Sequence, residues 1–240
     1  MKLYFAGDGW SRYLLEFGGR NKLISYPYYL ESKILREELE LYDSIFMDSG
    51  AFSVYTGKKK VDIDQMIDDY KKMPKNWVLA GLDVIGNAEQ TKKNCDYMTS
   101  KDVTIIPTYH LGHPLSYLEY YCQNYDYIAL GGVITLKSYT KIYKALSMAF
   151  SVIKNYWPIK IHGFAITSKR LMFDFPFYSI DSTSWLTVVR FGNYNSSEIN
   201  KMYSLKRNHR KLLKDSVENM LKLEKQATKL WSERGITWQK

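Results

Sequence analysis

Cysteine is scarce in this sequence, with only Cys95 and Cys122 among its 240 residues. Two cysteines so far apart exclude a disulfide framework and a cysteine-rich zinc site, because both need several cysteines at short, regular spacings. Each of the two falls within a helical pattern. We expect each to be a small, half-buried apolar residue.

Histidine is almost as scarce, with four residues in the chain. Three of them, His110, His113 and His162, invite a metal interpretation, because imidazole is a common metal ligand. Their spacing matches no zinc signature, and no motif of the HExxH type accompanies them. We therefore expect neither a metal site nor a cofactor.

Long hydrophobic runs are also missing, because no apolar stretch approaches the roughly 20 residues of a membrane-spanning helix. The first residues, Met1 to Asp8, lack the apolar core of a signal peptide. The composition, 45% hydrophobic and 25% charged, is typical of a globular domain. These features predict a cytoplasmic protein that does not bind a membrane.

Negative charge is scarce near the C-terminus. The net charge of +9 is uneven, because residues 201–240 contain eleven Lys or Arg against four Asp or Glu. A basic helix over 209–231 is a candidate surface for nucleic-acid phosphates, and a helix face in contact with solvent explains the charge equally well. The candidate phosphate-binding residues are Lys206, Arg207, Arg210, Lys211 and Lys214.

Short apolar segments alternate with amphipathic segments along the chain. The predicted strands cover residues 2–6, 44–47, 77–82, 103–107, 127–130, 159–164, 177–180 and 188–194. The predicted helices cover residues 27–41, 62–73, 87–101, 114–124, 139–156, a short segment near 168, and 209–231. Eight strands that alternate with helices predict an α/β fold, a single (β/α)8 TIM-type barrel with parallel strands. We assign residues 1–205 to the barrel and 206–240 to a basic helix packed on it.

Nearly every predicted strand ends in a residue that can do chemistry. These residues are Asp48, Asp83, His110, Gly131 with Gly132, His162 and Asp181. Because the carboxyl ends of the strands meet at one face of a barrel, we expect these side chains to surround a single site. Simpler interpretations exist: each Asp could cap the helix after its strand, and the glycine pair could form a tight turn.

Carboxylates that meet at one barrel mouth can share the work of a displacement at a sugar carbon. One carboxylate attacks while another moves a proton. Burial and neighbouring negative charge raise the pKa of one acid and keep it protonated near neutral pH. The glycine pair lets the backbone approach a ligand and offer N–H groups to a carbonyl oxygen.

Three motifs in this arrangement resemble those of the tRNA-guanine transglycosylases. Residues 48–53, Asp-Ser-Gly-Ala-Phe-Ser, resemble the family's Asp-Ser-Gly-Gly-Phe/Tyr-Gln motif, and residues 129–133, Ala-Leu-Gly-Gly-Val, are similar to its Leu-Gly-Gly segment. Residues 179–183, Ser-Ile-Asp-Ser-Thr, fall where the family has its nucleophilic aspartate. The set spans about residues 44–185 and looks most like the short, often phage-encoded (DpdA-like) branch, which places 7-deazaguanine bases into DNA.

The resemblance implies that guanine in a nucleic acid is exchanged for a 7-deazaguanine base. The reaction would pass through a covalent aspartyl-glycosyl intermediate. Asp181 would be the nucleophile that attacks C1′ of the target nucleotide. Asp48 would be the general acid and base for the leaving and incoming bases.

The same resemblance implies a binding site for the exchanged base. Asp83 would accept hydrogen bonds from the base, and the N–H of Gly132 would donate to its carbonyl oxygen. Phe52 and His162 would sandwich the ring. The other expected members of this site are Ser49, His110 and Gly131.

The sequence also departs from the family pattern. Ala51 and Ser53 replace a glycine and a glutamine, and His110 stands near the position of another glutamine. The pocket shape and the incoming base therefore stay open. The cysteine-rich zinc subdomain of the tRNA enzymes is absent, which favours DNA over tRNA as the partner. If the protein is phage-encoded, we expect it in the host cytoplasm.

Three other functions stay open on the sequence alone. The chain could be a tRNA-guanine transglycosylase. It could be an N-glycoside hydrolase that uses the same carboxylates on free nucleosides. It could also be a non-catalytic barrel that binds nucleic acid. The sequence predicts neither the oligomeric state nor the recognised target sequence.

Overall fold

The computed structural model describes residues 1–7, 11–187 and 205–238, and the side chains at 11, 34, 35, 134 and 205–208 lie outside that description. Eight parallel strands form its centre. They are β1 (Lys2–Ala6), β2 (Asn21–Ser25), β3 (Ser44–Asp48), β4 (Val78–Leu79), β5 (Thr108–His110), β6 (Tyr127–Gly131), β7 (Lys160–Gly163) and β8 (Ser179–Ser182).

The sheet curls into a closed barrel. Its strands follow the order β4-β3-β2-β1-β8-β7-β6-β5, so β1 pairs with both β2 and β8. The remaining gap, between β4 and β5, is bridged by parallel pairing of Ala80 with Ile106. There the Ile106 N–H donates to the Leu79 carbonyl at 2.8 Å, and the Gly81 N–H donates to the Ile106 carbonyl at 2.9 Å. The predicted (β/α)8 TIM-type barrel is therefore confirmed.

Helices connect the strands and cover the outside of the barrel. They are α1 (Ser11–Glu16), α2 (Tyr26–Glu31), α3 (Lys33–Leu39), α4 (Ala51–Tyr55), α5 (Ile63–Tyr70), α6 (Ala88–Ser100), α7 (Leu115–Asn124), α8 (Val133–Leu136), α9 (Tyr139–Ile153), α10 (Lys169–Asp174) and α11 (Leu205–Glu233). Short 3-10 turns follow at Lys154–Tyr156 and Ser184–Leu186. Within the described ranges, none of the helices combines the length and hydropathy needed to cross a bilayer.

Local sequence signals explain several helix boundaries. Asp62 caps α5, because its carboxylate accepts from the N–H groups of Asp64 at 2.9 Å and Gln65 at 3.0 Å. The single helix predicted over 27–41 is divided into α2 and α3. The division falls at Ser32, whose backbone is extended with φ −124° and ψ 108°.

One strand was missed, one strand prediction needs correction, and one prediction lies outside the described residues. The strand β2 was not predicted, although it lies between β1 and β3. The strand predicted over 103–107 begins later, since β5 starts at Thr108 and only Ile106 forms a bridge before it. The strand predicted over 188–194 lies outside the described residues.

Side chains from alternate strand positions fill the barrel interior, as period-two alternation requires. The interior cluster comprises Tyr4, Ala6, Leu23, Phe46, Ala80, Ile106 and Ala129. Their sequence neighbours, such as Phe5, Met47 and Leu130, face outward and pack under the helices. Asp48 follows Phe46 by two positions in β3, so it is on the same side of the strand. It lies at the carboxyl-end opening of the barrel.

The long helix α11 packs against β1 and runs antiparallel to it. Thr228 bonds to the Met1 amino group at 3.0 Å, and the Glu224 carboxylate accepts from the Leu3 N–H at 2.8 Å. Further toward the start of the helix, Met220 contacts Ser184, just beyond the carboxyl end of β8. The N-terminal half of α11 therefore extends toward the barrel mouth.

Candidate active site

A cavity of about 350 Å³ opens at the carboxyl ends of the strands. This size is within the range of small-molecule sites in proteins. Its wall includes three carboxylates, Asp48, Asp83 and Asp181, which lie up to 133 positions apart in the sequence. The other predicted site residues in the wall are Phe52, His110, Gly131 and Gly132.

Asp48 is the last residue of β3 and lies where an apolar strand enters the cavity. Burial, followed by the negative charges of Asp83 and Asp181, raises its pKa to about 7. A weak hydrogen bond of 3.2 Å from the Gly50 N–H opposes this shift only in part. Asp48 can therefore hold or release a proton near neutral pH.

The turn after Asp48 needs glycine at position 50. Gly50 has φ 87°, in the left-handed region that other residues rarely adopt. A Cβ there would also lie 2.5 Å from Cδ of Pro27. This turn starts α4 directly after the strand, so Asp48 and Phe52 lie at the same opening.

Asp83 is a buried carboxylate with both oxygens hydrogen-bonded. The Ser49 hydroxyl donates to Oδ1 at 2.5 Å, and Oδ2 lies 2.7 Å from His110 Nε2. These two contacts fix the orientation of the carboxylate, while its remaining lone pairs face the cavity. Ser49 itself is fully buried and acts on the cavity through Asp83.

The position of His110 depends on Gly131, its partner in the pairing of β5 with β6. A Cβ at Gly131 would lie 2.9 Å from Cγ2 of Thr108 and 3.0 Å from Cδ2 of His110. The absence of a side chain at Gly131 thus makes the room that the His110 ring occupies. The next residue, Gly132, has φ 84° and also lines the cavity.

Asp181, on β8, lies across the barrel mouth from Asp83. Its described contacts all involve Oδ1. The Ala165 N–H donates to Oδ1 at 2.8 Å. The Nε2 atom of His162 lies 3.5 Å from the same Oδ1. In the described part of the chain, Oδ2 has no protein donor, so one carboxylate oxygen of this cavity-lining residue is open.

His162 does not line the cavity, which corrects its expected role in sandwiching a base. The ring is fully buried and stacks on Phe46, with centroids 4.1 Å apart and planes at 29°. It therefore lies behind Asp181 in the barrel interior. Phe164, two residues further along, lines the cavity instead and contacts the His162 ring edge-on, with centroids 4.6 Å apart.

Aromatic side chains surround the opening. Phe52 and Tyr55 are 49% and 64% exposed, and both border the cavity from α4. Tyr28 borders it from α2. Sequence reasoning found Phe52 and missed Tyr55, Tyr28 and Phe164. Two signals were present: Tyr55 follows Phe52 by three positions on one helix face, and Phe164 follows His162 by two on one strand face.

The predicted phosphate-binding residues lie in the N-terminal part of α11. Lys211 and Lys214 are exposed, and Lys214 lies 3.7 Å from Glu218. Arg210 pairs with Glu16, and its guanidinium lies 5.7 Å from the centre of the Phe17 ring. The side chains of Lys206 and Arg207 lie outside the described residues. A role for these residues in binding nucleic acid stays a prediction.

Both cysteines are buried and unpaired, Cys95 in α6 and Cys122 in α7. Among residues 1–7, 11–187 and 205–238, no group of three or more His, Cys, Asp or Glu side chains is arranged to hold a metal ion.

Comparison with known proteins adds no family assignment. No protein-family model matches the chain, and no curated protein matches it.

Proposed function

We propose that the barrel is a base-exchange transglycosylase that replaces guanine by a 7-deazaguanine base in nucleic acid, with DNA as the preferred substrate. The observation that carries this proposal is the set of three acids around one cavity, each in a different environment. Asp48 has a pKa of about 7, Asp83 has both oxygens hydrogen-bonded, and Asp181 has one open oxygen. Exchange at a sugar carbon needs a proton carrier, a base acceptor and a nucleophile.

The reaction would proceed in two displacement steps at C1′ of the target nucleotide. First, Oδ2 of Asp181 bonds to C1′ while the bond from C1′ to N9 of guanine breaks. The electron pair stays on guanine, which takes a proton from Asp48. Then the incoming base gives a proton to Asp48, its N9 attacks C1′, and the bond from C1′ to Asp181 breaks. A pKa of about 7 suits Asp48 to both transfers.

The base would lie between two walls of the cavity, the β4–β5 side with Asp83 and the β7–β8 side with Asp181. Asp83, held by Ser49 and His110, accepts from the N–H groups at the edge of a guanine ring. The N–H of Gly132 donates to the carbonyl oxygen of the base. Phe52 stacks on the ring, a contact worth roughly 1–3 kcal/mol.

A nucleotide within a duplex must leave the base stack to reach such a cavity, at a cost of a few kcal/mol. The basic N-terminal half of α11 extends toward the mouth, where it can bind the phosphates on either side of the target. DNA is favoured because the chain has only two cysteines, both buried in helices, and so cannot build a cysteine-rich zinc subdomain for tRNA.

A base-exchange assay with the purified full chain tests the proposal. The protein is incubated with DNA or tRNA and with radiolabelled guanine or a labelled 7-deazaguanine. We expect the wild type to incorporate label into DNA and to form a covalent adduct that survives a denaturing gel. Asp181→Ala should do neither. The matched control is Asp174→Ala, which removes a carboxylate from the outer helix α10 and should keep both activities.

Other outcomes select other functions. Exchange that survives in Asp181→Ala contradicts the nucleophile. Label that enters tRNA but not DNA identifies a tRNA enzyme, and turnover of free nucleosides without a polymer identifies a hydrolase. Nucleic-acid binding that is unchanged by Asp→Asn replacement at positions 48, 83 and 181, with no adduct, identifies a non-catalytic barrel.

The role proposed for α11 has its own test. The double variant Lys211→Ala with Lys214→Ala should weaken DNA binding and reduce the slope of log affinity against log salt by about 1–2, because each lysine releases about one counterion. Fluorescence anisotropy at several salt concentrations measures this slope. Lys93→Ala, on α6, is the control for an exposed lysine. An unchanged slope in the double variant contradicts the assignment of this face.

A further inference from the structure

Four polar groups form a continuous line inside the barrel beneath the cavity. The Tyr127 hydroxyl on β6 lies 2.5 Å from Ser179 Oγ on β8. Ser179 Oγ lies 2.6 Å from His162 Nδ1 on β7. On the other side of the ring, His162 Nε2 lies 3.5 Å from Oδ1 of Asp181. The line therefore connects three strands and ends at the proposed nucleophile.

Strand register produces this line. His162 and Ser179 are direct partners in the pairing of β7 with β8. Asp181 follows Ser179 by two residues, so it points to the same side of the sheet, one layer nearer the mouth. His162 and Ser179 are fully buried, and Asp181 is 7% exposed. Water is thus largely excluded from the contacts beneath the carboxylate.

The surroundings of the His162 ring favour its neutral form. Its faces and edges contact Phe46, Phe164 and Tyr4, all aromatic. Burial lowers the pKa of His162, and the nearby Asp181 carboxylate opposes this only in part. A neutral imidazole carries one N–H, on either Nδ1 or Nε2.

Counting protons along the line selects the tautomer. If Nε2 carries the proton, it points at the Asp181 carboxylate, Nδ1 accepts from Ser179, and Ser179 accepts from Tyr127. Tyr127, Ser179 and His162 then each donate one hydrogen bond along the line. If Nδ1 carries the proton, the Nε2 lone pair faces the carboxylate, and one hydroxyl proton, that of Tyr127 or that of Ser179, has no acceptor in the described part of the chain. The first arrangement directs every proton of the line at an acceptor, with the Nε2–Oδ1 separation of 3.5 Å as its longest step.

Nε2 is also a buried atom without a hydrogen-bond partner in the described part of the chain. Its separation of 3.5 Å from Oδ1 is at the outer limit of a hydrogen bond. A small shift of the carboxylate toward the ring would complete the bond. Such contacts in ligand-free sites commonly shorten once the substrate binds.

We propose that His162 is a positioning residue for Asp181: its Nε2–H holds Oδ1, so that Oδ2 stays directed into the cavity, and the Tyr127–Ser179 pair fixes the tautomer that makes this possible. The inference rests on the proposed function of Asp181 as the nucleophile. It gives a role to two fully buried residues, His162 and Ser179, and to the partly buried Tyr127, none of which lines the cavity. The proposed tautomer of His162 is a property of the protein without substrate, so it can be tested independently of the reaction.

A second Tyr–Ser pair in the same barrel provides a matched comparison. The Tyr4 hydroxyl lies 2.9 Å from Ser44 Oγ in a buried contact, whereas the Tyr127–Ser179 contact is partly buried. Neither group bonds to His162, and neither leads to a carboxylate at the mouth. If the Tyr127–Ser179 pair only fills space, removing either tyrosine hydroxyl should have the same effect.

Nitrogen NMR of the full-length protein tests the tautomer directly. Histidine ring nitrogens labelled with 15N give distinct shifts with and without a proton, and the His162 signals are identified by their loss in His162→Gln. We expect a neutral ring with its proton on Nε2 at pH 7 in wild type and in Tyr4→Phe. In Ser179→Ala, a mixture of tautomers should appear. A ring protonated on Nδ1, or a charged ring, in the wild type would overturn the proposal.

Kinetics of base exchange test the consequence for Asp181. Ser179→Ala should lower kcat by about tenfold to a hundredfold with KM for the base nearly unchanged, because a misdirected nucleophile slows the chemical step. Tyr127→Phe should have a smaller effect in the same direction, and it serves if Ser179→Ala does not fold. His162→Gln, which keeps a side-chain N–H donor, should retain more activity than His162→Leu. Tyr4→Phe should leave kcat unchanged.

The two experiments separate failure of the inference from failure of the proposed function. Equal loss of kcat in Tyr4→Phe and Tyr127→Phe, or equal activity of His162→Gln and His162→Leu, would overturn the positioning role. If no nucleic acid supports exchange but the NMR result is as expected, the proposed reaction fails and the hydrogen-bonded line stands. In that case the line orients Asp181 for another reaction.

Discussion

The two walls of the cavity hold their carboxylates in opposite ways. On the β4–β5 side, both oxygens of Asp83 are bonded, to Ser49 and to His110. On the β7–β8 side, the described contacts of Asp181 involve Oδ1 alone. A carboxylate bonded at both oxygens is a fixed acceptor and a poor nucleophile, whereas a carboxylate with one open oxygen can form a bond. In the proposed reaction, this difference would divide base recognition from bond formation between the two walls.

Replacing Asp181 and Asp83 in turn by asparagine should have the largest effects and should separate the roles of the two walls. Asp181→Asn should lower kcat by about a thousandfold or more and abolish the covalent adduct, because the amide lacks the attacking oxygen. Asp83→Asn should still form the adduct. It should raise KM for the base about tenfold to a hundredfold, because an amide nitrogen presents donors where the base needs an acceptor. Steady-state kinetics and denaturing gels measure both effects.

The reverse result would reassign the two walls. If Asp83→Asn loses the adduct while Asp181→Asn keeps it, the nucleophile lies on the β4–β5 side. Thermal melts of both variants serve as the control for folding, since each replacement alters a buried group.

Two glycines allow a finer test of the same comparison. An added methyl at Gly131 would crowd His110 and Thr108 at 2.9–3.0 Å, and one at Gly163 would crowd Ile166 and Phe177 at 2.6–2.7 Å. Both Gly→Ala variants should lose stability, by about 1–3 kcal/mol from overpacking. Only Gly131→Ala should also raise KM for the base, by about tenfold, because it displaces the His110 ring that holds Asp83.

Calorimetry and base-exchange kinetics on the two variants measure this difference. Gly163→Ala is the matched control, because its crowding lies on the outside of the barrel. An equal rise of KM in both variants would show that general destabilisation, and not the position of His110, sets the affinity for the base.

Strand-end residues were the part of the site that the sequence made predictable. Asp48, Asp83, His110 and Asp181 each follow an apolar segment, and parallel strands bring their carboxyl ends to one face. The convergence of these four side chains therefore follows from alternation of strands and helices. The prediction needed no knowledge of which strands are neighbours.

Features that depend on depth and register could not be read in this way. His162 ends an apolar segment like the others, but only the stacking of Phe46 shows that it lies beneath the cavity. The line from Tyr127 to Ser179 joins residues 52 positions apart and requires the register of three strands. The strand β2 was not predicted, although its central residues Leu23 and Ile24 are apolar and buried. Lys22 points outward, fully buried, and its ammonium bonds to the Gly7 carbonyl.

The raised pKa of Asp48 predicts the smallest of these effects, a pH dependence of stability that comes from the β3 side of the cavity. In the folded protein this pKa is raised from 3.8 to about 7, so ionisation of Asp48 opposes folding. The loss of stability begins as pH rises above the unfolded pKa and is complete above about pH 7. Asp48→Asn, which stays neutral, should therefore melt higher than the wild type at pH 8 and like it near pH 4.

The expected size of this effect is modest, because water at the open mouth screens the charge. We expect on the order of 1 kcal/mol at pH 8, or about 2–4 °C in Tm. Thermal melts between pH 4 and pH 8 measure the difference between the two proteins. Asp181→Asn, measured in the same way, gives the comparison on the β8 side of the cavity. A gap between Asp48→Asn and the wild type that is constant with pH would show that packing, and not ionisation, separates their stabilities.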